Sequence, residues 1–109
     1  MQSIIKNEFN EHIKASQKTM DALINNIEKA ANICIDCLKQ GNKILIFGNG
    51  GSAAMASHVA IDLTKAANIR SINFNEASLL TCMANDYGYE NWASNALNFY
   101  ADSNDIAIL

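Results

Sequence analysis

The sequence of 109 residues contains no proline, although an average usage of about 5% would give about five. Because proline interrupts helices, its absence predicts long, uninterrupted helices. Half of the residues are apolar. This length and composition predict one globular domain with a modest hydrophobic core.

The sequence also lacks any uninterrupted apolar run near the roughly 20 residues that a membrane helix needs. Its first residues, MQSIIKNEFNEHIK, mix charges too early for a signal peptide. There is no cluster of lysine and arginine, and the net charge is only −3. These absences predict no nucleic-acid partner, no membrane partner and a location in the cytoplasm.

The sequence also lacks a disulfide framework, because it has only three cysteines. Cys34 and Cys37 make a C-x-x-C, the spacing of a redox motif or of half a zinc site. No second pair completes a zinc site, and no predicted strand precedes the motif as in thioredoxin-like proteins. We therefore interpret both as small core residues on one face of a helix.

The N-terminal part of the chain has helical periodicity. Apolar residues four apart predict a first helix over residues 2–19. Thr19 or Ser16 could cap a second helix that runs to about residue 40 and stops at the following Gly-Asn. The helical pair over 1–41 needs a surface to pack on, so we expect part of it to meet another subunit.

The pattern then changes to alternating strands and helices. Short apolar runs predict strands at 43–47, 70–74 and 105–109, and the intervening segments predict helices at 52–66, 77–84 and about 90–100. Such alternation predicts an α/β fold with a parallel sheet over residues 42–109. The chain stops on the third strand, where a parallel sheet would place another ligand loop. We therefore expect 1–109 to be one domain that is incomplete at its C-terminal end.

Three of the five glycines, Gly48, Gly50 and Gly51, fall between the first predicted strand and the next helix, in KILIFGNGGSAAMASHVAIDLT. Glycine permits positive φ and lets a ligand approach the backbone closely. A helix that begins near Ser52 offers unpaired N–H groups and a partial positive charge. The segment predicts a phosphate or sugar site; the alternative is a tight turn without a ligand.

Glycine-rich loops between a strand and a helix also occur in nucleotide-binding motifs. A Walker loop is excluded, because no lysine follows Gly51. The dinucleotide pattern G-x-G-x-x-A is met by Gly48, Gly50 and Ala53, and Glu76 lies just past the second strand, where a ribose-binding acid could lie. A dinucleotide-binding unit therefore remains an alternative.

His58 and Asp62 are four residues apart in the helix after the glycines, and so share one face. This spacing suits a shared metal ion, or a base beside the group that orients it. The alternative is an ordinary surface pair. Trp92, Tyr87 and Tyr89 lie further along the chain, and we interpret them as core or interface residues rather than a sugar-stacking platform.

The combination of GNGGS, H-x-x-x-D-L-T and CMANDYGYE resembles the sugar isomerase (SIS) domain, and more narrowly the phosphoheptose isomerases. Members of that family convert sedoheptulose 7-phosphate to a manno-heptose 7-phosphate. The resemblance implies a three-layer, flavodoxin-like parallel sheet and a homotetramer whose leading helices pack between subunits. It also implies a role in heptose synthesis for lipopolysaccharide or capsule, with one zinc ion per subunit where zinc is bound.

The resemblance also assigns site residues. Substrate contacts are implied for Asn49, Gly50, Gly51, Ser52, Asn85 and Asp86. His58 corresponds to a zinc ligand, and Asp62 corresponds to the family's catalytic base and second zinc ligand.

The sequence departs from the family pattern at two helix positions. Asp62 stands where the family has glutamate, and Met55 where it often has an acidic residue. The shorter side chain retracts the carboxylate by about 1.5 Å, and misplacement on that scale can cost about 10²-fold in rate. A phosphosugar-binding SIS module without isomerase activity is therefore an alternative. The family's second phosphate loop and second histidine would follow Leu109, so we expect residues 1–109 alone to be inactive.

Overall fold

The computed structural model describes all residues from 1 to 109, in two compact units, 1–33 and 34–109. The elements are α1 (Gln2–Gln40), β1 (Ile44–Ile46), α2 (Gly51–Lys65), β2 (Ser71–Asn73), α3 (Ala77–Tyr87), a 3-10 turn (Tyr89–Asn91), α4 (Trp92–Tyr100) and β3 (Ile106–Ile108). The strands form one parallel sheet in the order β2-β1-β3. The predicted α/β fold with a parallel sheet is confirmed.

The predicted pair of N-terminal helices is wrong, because α1 is a single helix of 39 residues. No glycine or proline interrupts it. Thr19, the proposed cap, instead donates its hydroxyl to the carbonyl of Ala15 at 2.9 Å, a bond that a helix interior accommodates. The helix ends where Gly41 adopts a φ of +73°, a C-terminal conformation that favours glycine.

The unit of residues 1–33 is helical and exposes many apolar side chains. Ile5, Phe9 and Ile13, spaced by four, are each at least half exposed. None of the helices in the structure combines the length and the apolar character that crossing a membrane requires. Because these apolar side chains are exposed, they have no packing partner within the unit.

In the unit of residues 34–109, β1 is the central strand and its side chains alternate between two apolar clusters. Ile44 and Ile46 pack with α2 and with the last turns of α1. Leu45 and Phe47 pack with α3 and α4, where Trp92 is 4% exposed. Helices therefore cover both faces, and the predicted three-layer arrangement is confirmed, as is the core position of Trp92.

The C-x-x-C cysteines belong to the first of these clusters. Cys37 is buried and Cys34 packs against the cluster while partly buried. Burial is the main cause that raises the pKa of the Cys37 thiol, which keeps it protonated and unreactive. The interpretation of both cysteines as core residues is confirmed.

A buried ion network joins the amino ends of β1 and β3. The Nζ atom of Lys43 lies 2.5 Å from Oδ2 of Asp105 and 2.6 Å from Oδ2 of Asp102. The Asp105 side chain is only 2% exposed, and it also accepts the backbone N–H groups of Lys43 and Asp102. Burial by itself would raise the pKa of Asp105, but these hydrogen bonds, that of Lys43 first, lower it to about 2.

Candidate functional site

A cleft of about 520 Å³ opens at the carboxyl ends of β1 and β3. Its lining includes Gly48, Asn49 and Ser52 from the glycine loop, Met55 and Val59 from α2, Tyr89 and Glu90 from the turn before α4, and Ile108 and Leu109. Ligands of open parallel sheets bind at this edge. The fold therefore places the predicted glycine loop at one wall of a cleft that can hold a small molecule.

The glycine loop is shaped by two positions where a side chain would not fit. A Cβ atom on Gly48 would lie 2.4 Å from the carbonyl oxygen of Ser52, so the start of α2 passes directly over the backbone here. Gly50 has a φ of +55°, in the left-handed region that favours glycine. The first glycine allows close packing and the second allows the chain to turn into α2.

The N-terminus of α2 has backbone N–H groups without a partner in the chain. Gly50, at the N-cap, supplies no side-chain cap. The N–H groups of Gly50 and Gly51 donate to no group within the chain, whereas those of Ser52 and Ala53 close turns onto preceding carbonyls. Free N–H groups at a helix N-terminus attract anions and oxygen-rich groups. This geometry fits the phosphate or the hydroxyls of a sugar phosphate.

We expect Gly48→Ala to lower the free energy of unfolding by about 2 kcal/mol or more, because the added methyl group overlaps the backbone of Ser52. Gly51→Ala is the matched control. A Cβ atom there meets nothing within 4 Å, and alanine favours the first turn of a helix, so stability should hold or rise by up to about 1 kcal/mol. Urea denaturation measures both, and an equal loss in the two variants would contradict the argument.

Several polar contacts of the loop were not predicted from the sequence. The Asn75 amide donates to the carbonyl of Gly48 at 2.6 Å, and the Tyr89 hydroxyl donates to Oδ1 of Asn49 at 2.8 Å. Tyr89 is not a core residue, because it is exposed and lines the cleft, while its interpretation as an interface residue stays a prediction. The position of Asn75 just past β2 was the available signal, since polar residues there reach the ligand edge of the sheet.

His58 and Asp62 lie on the same face of α2 as the cleft residues Met55 and Val59, by the three- and four-residue spacing. The Nε2 atom of His58 is 3.3 Å from Oδ2 of Asp62, and both side chains are well exposed, at 79% and 63%. An exposed carboxylate beside an imidazole can accept a proton, bind a metal or form a simple ion pair.

The separation of His58 and Asp62 is compatible with a shared zinc ion. Two ligands of a tetrahedral zinc ion lie about 3.3 Å apart when each bond is about 2.0–2.1 Å, so the observed separation fits. Zinc sites in proteins have three or four protein ligands. No group of three His, Cys, Asp or Glu side chains in the chain could hold a metal. The spacing of His58 and Asp62 would allow both to bind one zinc ion, but residues 1–109 place no third ligand near them.

Asn85 and Asp86 lie in the last turn of α3, not in a loop after it, because this helix extends to Tyr87. The Asn85 amide donates to Asp86 at 2.9 Å, and both side chains are exposed. They do not line the cleft, whose nearest contribution from this segment begins at Tyr89. The predicted contact of Asn85 and Asp86 with the substrate stays a prediction.

Glu76 has a structural role in the chain. Its carboxylate accepts the backbone N–H groups of Ser78 and Leu79, each at 3.0 Å, and so caps α3. The hydrogen bond from Ser78 is the main cause that lowers the pKa of Glu76. A dinucleotide site would need this carboxylate for the ribose, so the dinucleotide alternative loses its acidic residue.

Comparison with known proteins assigns the chain to a family. A profile of the SIS domain matches residues 8–104. The chain belongs to the SIS domain family. Within this family the chain is 42% identical to a phosphoheptose isomerase of Helicobacter hepaticus, over 97% of this chain and 57% of that protein. It is 37% identical to a phosphoheptose isomerase of Aliarcobacter butzleri, over 99% of this chain and 60% of that protein.

Solved structures of the SIS family agree with this assignment. A phosphoheptose isomerase from Neisseria gonorrhoeae superposes with a TM-score of 0.89 at 32% identity, over 97% of this chain and 58% of that one. One from Francisella tularensis gives 0.88 at 27% identity, over 98% and 58%. This SIS chain therefore spans less than two thirds of the relatives it matches. The predicted resemblance to phosphoheptose isomerases is confirmed in sequence and in fold.

Proposed function

We propose that the full-length protein is an aldose–ketose isomerase that acts on sedoheptulose 7-phosphate. The observation that carries the proposal is the arrangement of α2. The free N–H groups at its start adjoin Asn49 and Ser52, which line the cleft. The exposed Asp62 carboxylate does not line the cleft itself, but it lies on the same helical face as Met55 and Val59, which do. The likeness to proteins named phosphoheptose isomerase supports the choice of substrate. Its place would be heptose synthesis for lipopolysaccharide or capsule, in the cytoplasm.

The proposed reaction moves a proton between two adjacent carbons through an enediol. Asp62 takes the carbon-bound proton, because it is the only carboxylate on α2. His58, 3.3 Å away, orients that carboxylate. The free N–H groups of Gly50 and Gly51, with Asn49 and Ser52, bind oxygen atoms of the substrate. Binding of the distant phosphate then holds the reacting carbons in place.

The proposal includes a single zinc site. His58 and Asp62 would hold the ion, together with ligands from outside residues 1–109 or from a second subunit. Bound there, zinc would polarise the substrate carbonyl and so favour loss of the neighbouring proton. Without it, the same two side chains act as base and orienting group.

The assembly is proposed to be a homotetramer that α1 helps to form. Residues 1–33 expose isoleucine, phenylalanine and leucine side chains to an extent that is unusual for a surface facing only water. Burying such side chains between subunits would stabilise the assembly. Sedimentation of the full-length protein measures its subunit number, and a monomer at micromolar concentration would contradict this part of the proposal.

A second candidate is an SIS module that binds a phosphosugar without isomerising it. The aspartate at position 62, shorter than the glutamate implied by the resemblance, favours this candidate. The glycine loop would then bind the ligand as described, and no proton would be transferred.

One experiment separates the candidates. The full-length protein is incubated with sedoheptulose 7-phosphate and the products are followed by NMR, while calorimetry measures binding of the same sugar and of NAD. We expect an aldose phosphate to appear and NAD not to bind. Binding without turnover of any heptose phosphate would establish the binding module, and binding of NAD alone would overturn both.

A further inference from the structure

Asn49 is the residue of the glycine loop whose polar groups are held most completely. Its backbone N–H donates to the Ser52 hydroxyl, and that hydroxyl donates to its backbone carbonyl, both at 2.7 Å. Its side-chain Oδ1 accepts the hydroxyl of Tyr89 at 2.8 Å. The Nδ2 group, with two N–H donors, makes no hydrogen bond within the chain and lies at the cleft.

In this arrangement the Asn49 amide has one of its two possible orientations, with the oxygen toward Tyr89. An asparagine side chain can rotate by 180° and exchange its donor and acceptor ends. In the structure the Tyr89 hydroxyl donates to the oxygen end, and the donor end makes no hydrogen bond within the chain. A donor pair beside the open N–H groups of Gly50 and Gly51 suits an oxygen-rich, negatively charged ligand.

The position of Tyr89 depends on the glycine that precedes it. Gly88 ends α3 with a φ of +87°, and a Cβ atom there would lie 2.8 Å from the Glu90 carboxylate. The short turn that follows is secured by the Asn91 amide, which donates to the carbonyl of Tyr87 at 2.9 Å. This turn brings a hydroxyl from the α3–α4 connection to a loop 40 residues earlier in the chain.

We propose that Tyr89 is a positioning residue for the substrate: it orients the Asn49 amide so that both N–H donors face the cleft. The proposal rests on the proposed function for the identity of the ligand, a sugar phosphate. Tyr89 acts through Asn49 and contributes to substrate affinity rather than to proton transfer.

The test is a double-mutant cycle in the full-length protein with sedoheptulose 7-phosphate. Tyr89→Phe removes the hydroxyl and keeps the ring, and we expect it to raise KM about tenfold while kcat changes less than about threefold. In an Asn49→Ala background the same change should have no further effect. If Tyr89→Phe raises KM equally in both backgrounds, Tyr89 does not act through Asn49, and the proposal is overturned.

Tyr87→Phe is the matched control, because the ring of Tyr87 packs near Phe99 and the residue does not line the cleft. It should leave KM unchanged. A second readout needs no substrate: the Nδ2 amide protons of Asn49, observed by ¹⁵N NMR, should shift in Tyr89→Phe and stay in place in Tyr87→Phe. If the wild-type protein binds no heptose phosphate, the proposed function is wrong, but the NMR readout still tests whether Tyr89 orients the Asn49 amide. Unshifted Asn49 protons in Tyr89→Phe would overturn it.

Discussion

Replacing Asp62 with asparagine in the full-length protein is expected to lower kcat by about 10²-fold or more, while affinity for the sugar phosphate changes much less. The substitution keeps the shape of the side chain and removes the carboxylate that would accept the proton. In the proposed function the glycine loop binds most of the ligand, and this change does not alter that loop. Steady-state kinetics with sedoheptulose 7-phosphate and calorimetry of binding measure the two effects separately.

Two controls accompany Asp62→Asn: the same change at a different exposed aspartate, and a longer carboxylate side chain at position 62. Asp36→Asn alters another exposed aspartate, one that pairs with Lys39 at 3.3 Å on α1, and should leave kcat unchanged. Asp62→Glu should preserve or raise activity, since it gives the side-chain length that the resemblance implies for the catalytic base. His58→Ala should lower zinc content if metal is held there. Wild-type turnover in Asp62→Asn would show that Asp62 is not the base.

Replacing Asp105 with asparagine is expected to lower the free energy of unfolding by about 3 kcal/mol near neutral pH. The change leaves the ammonium group of Lys43, whose side chain is only 11% exposed, without its buried partner. It also weakens the hydrogen bonds from the backbone N–H groups of Lys43 and Asp102. Asp102→Asn is the control, because Asp102 is 81% exposed and its loss should cost less than about 1 kcal/mol.

The same carboxylate predicts how stability depends on acid. The pKa of Asp105 is about 2 in the folded protein, below its ordinary value of 3.8. The ionised form is therefore favoured by folding, so this contribution is complete above pH of about 4 and is lost as the pH falls through 2. Urea denaturation at several pH values measures it. Asp105→Asn should lack this component, and an unchanged acid dependence in the variant would contradict the assignment.

The sheet and its core were predictable from local pattern. The run around Ile44 and Leu45 is apolar without interruption, as expected of a strand covered on both faces, and these two side chains are fully buried. The glycine loop was predictable because three glycines between a strand and a helix indicate a turn that needs close backbone packing or a positive φ. In both cases the determining signal lies within a few neighbouring residues.

The features that were not predicted depend on contacts that the local sequence pattern does not reveal. The break predicted near Thr19 failed because a threonine hydroxyl can bond inside a helix as well as at its start. The contact between Tyr89 and Asn49 joins residues 40 apart, and that between Asn75 and Gly48 joins residues 27 apart. Such pairs are determined by the order of the strands, so the sequence indicated one partner of each at most.

The buried network of Lys43 and Asp105 lies at the amino ends of β1 and β3, and the cleft lies at their opposite ends. Residues that line the cleft, such as Met55 and Tyr89, are more than half exposed and take no part in that network. Substitutions at these exposed positions of the cleft should cost little stability. We therefore expect that the proposed binding site can change at such positions by single steps while the chain stays folded.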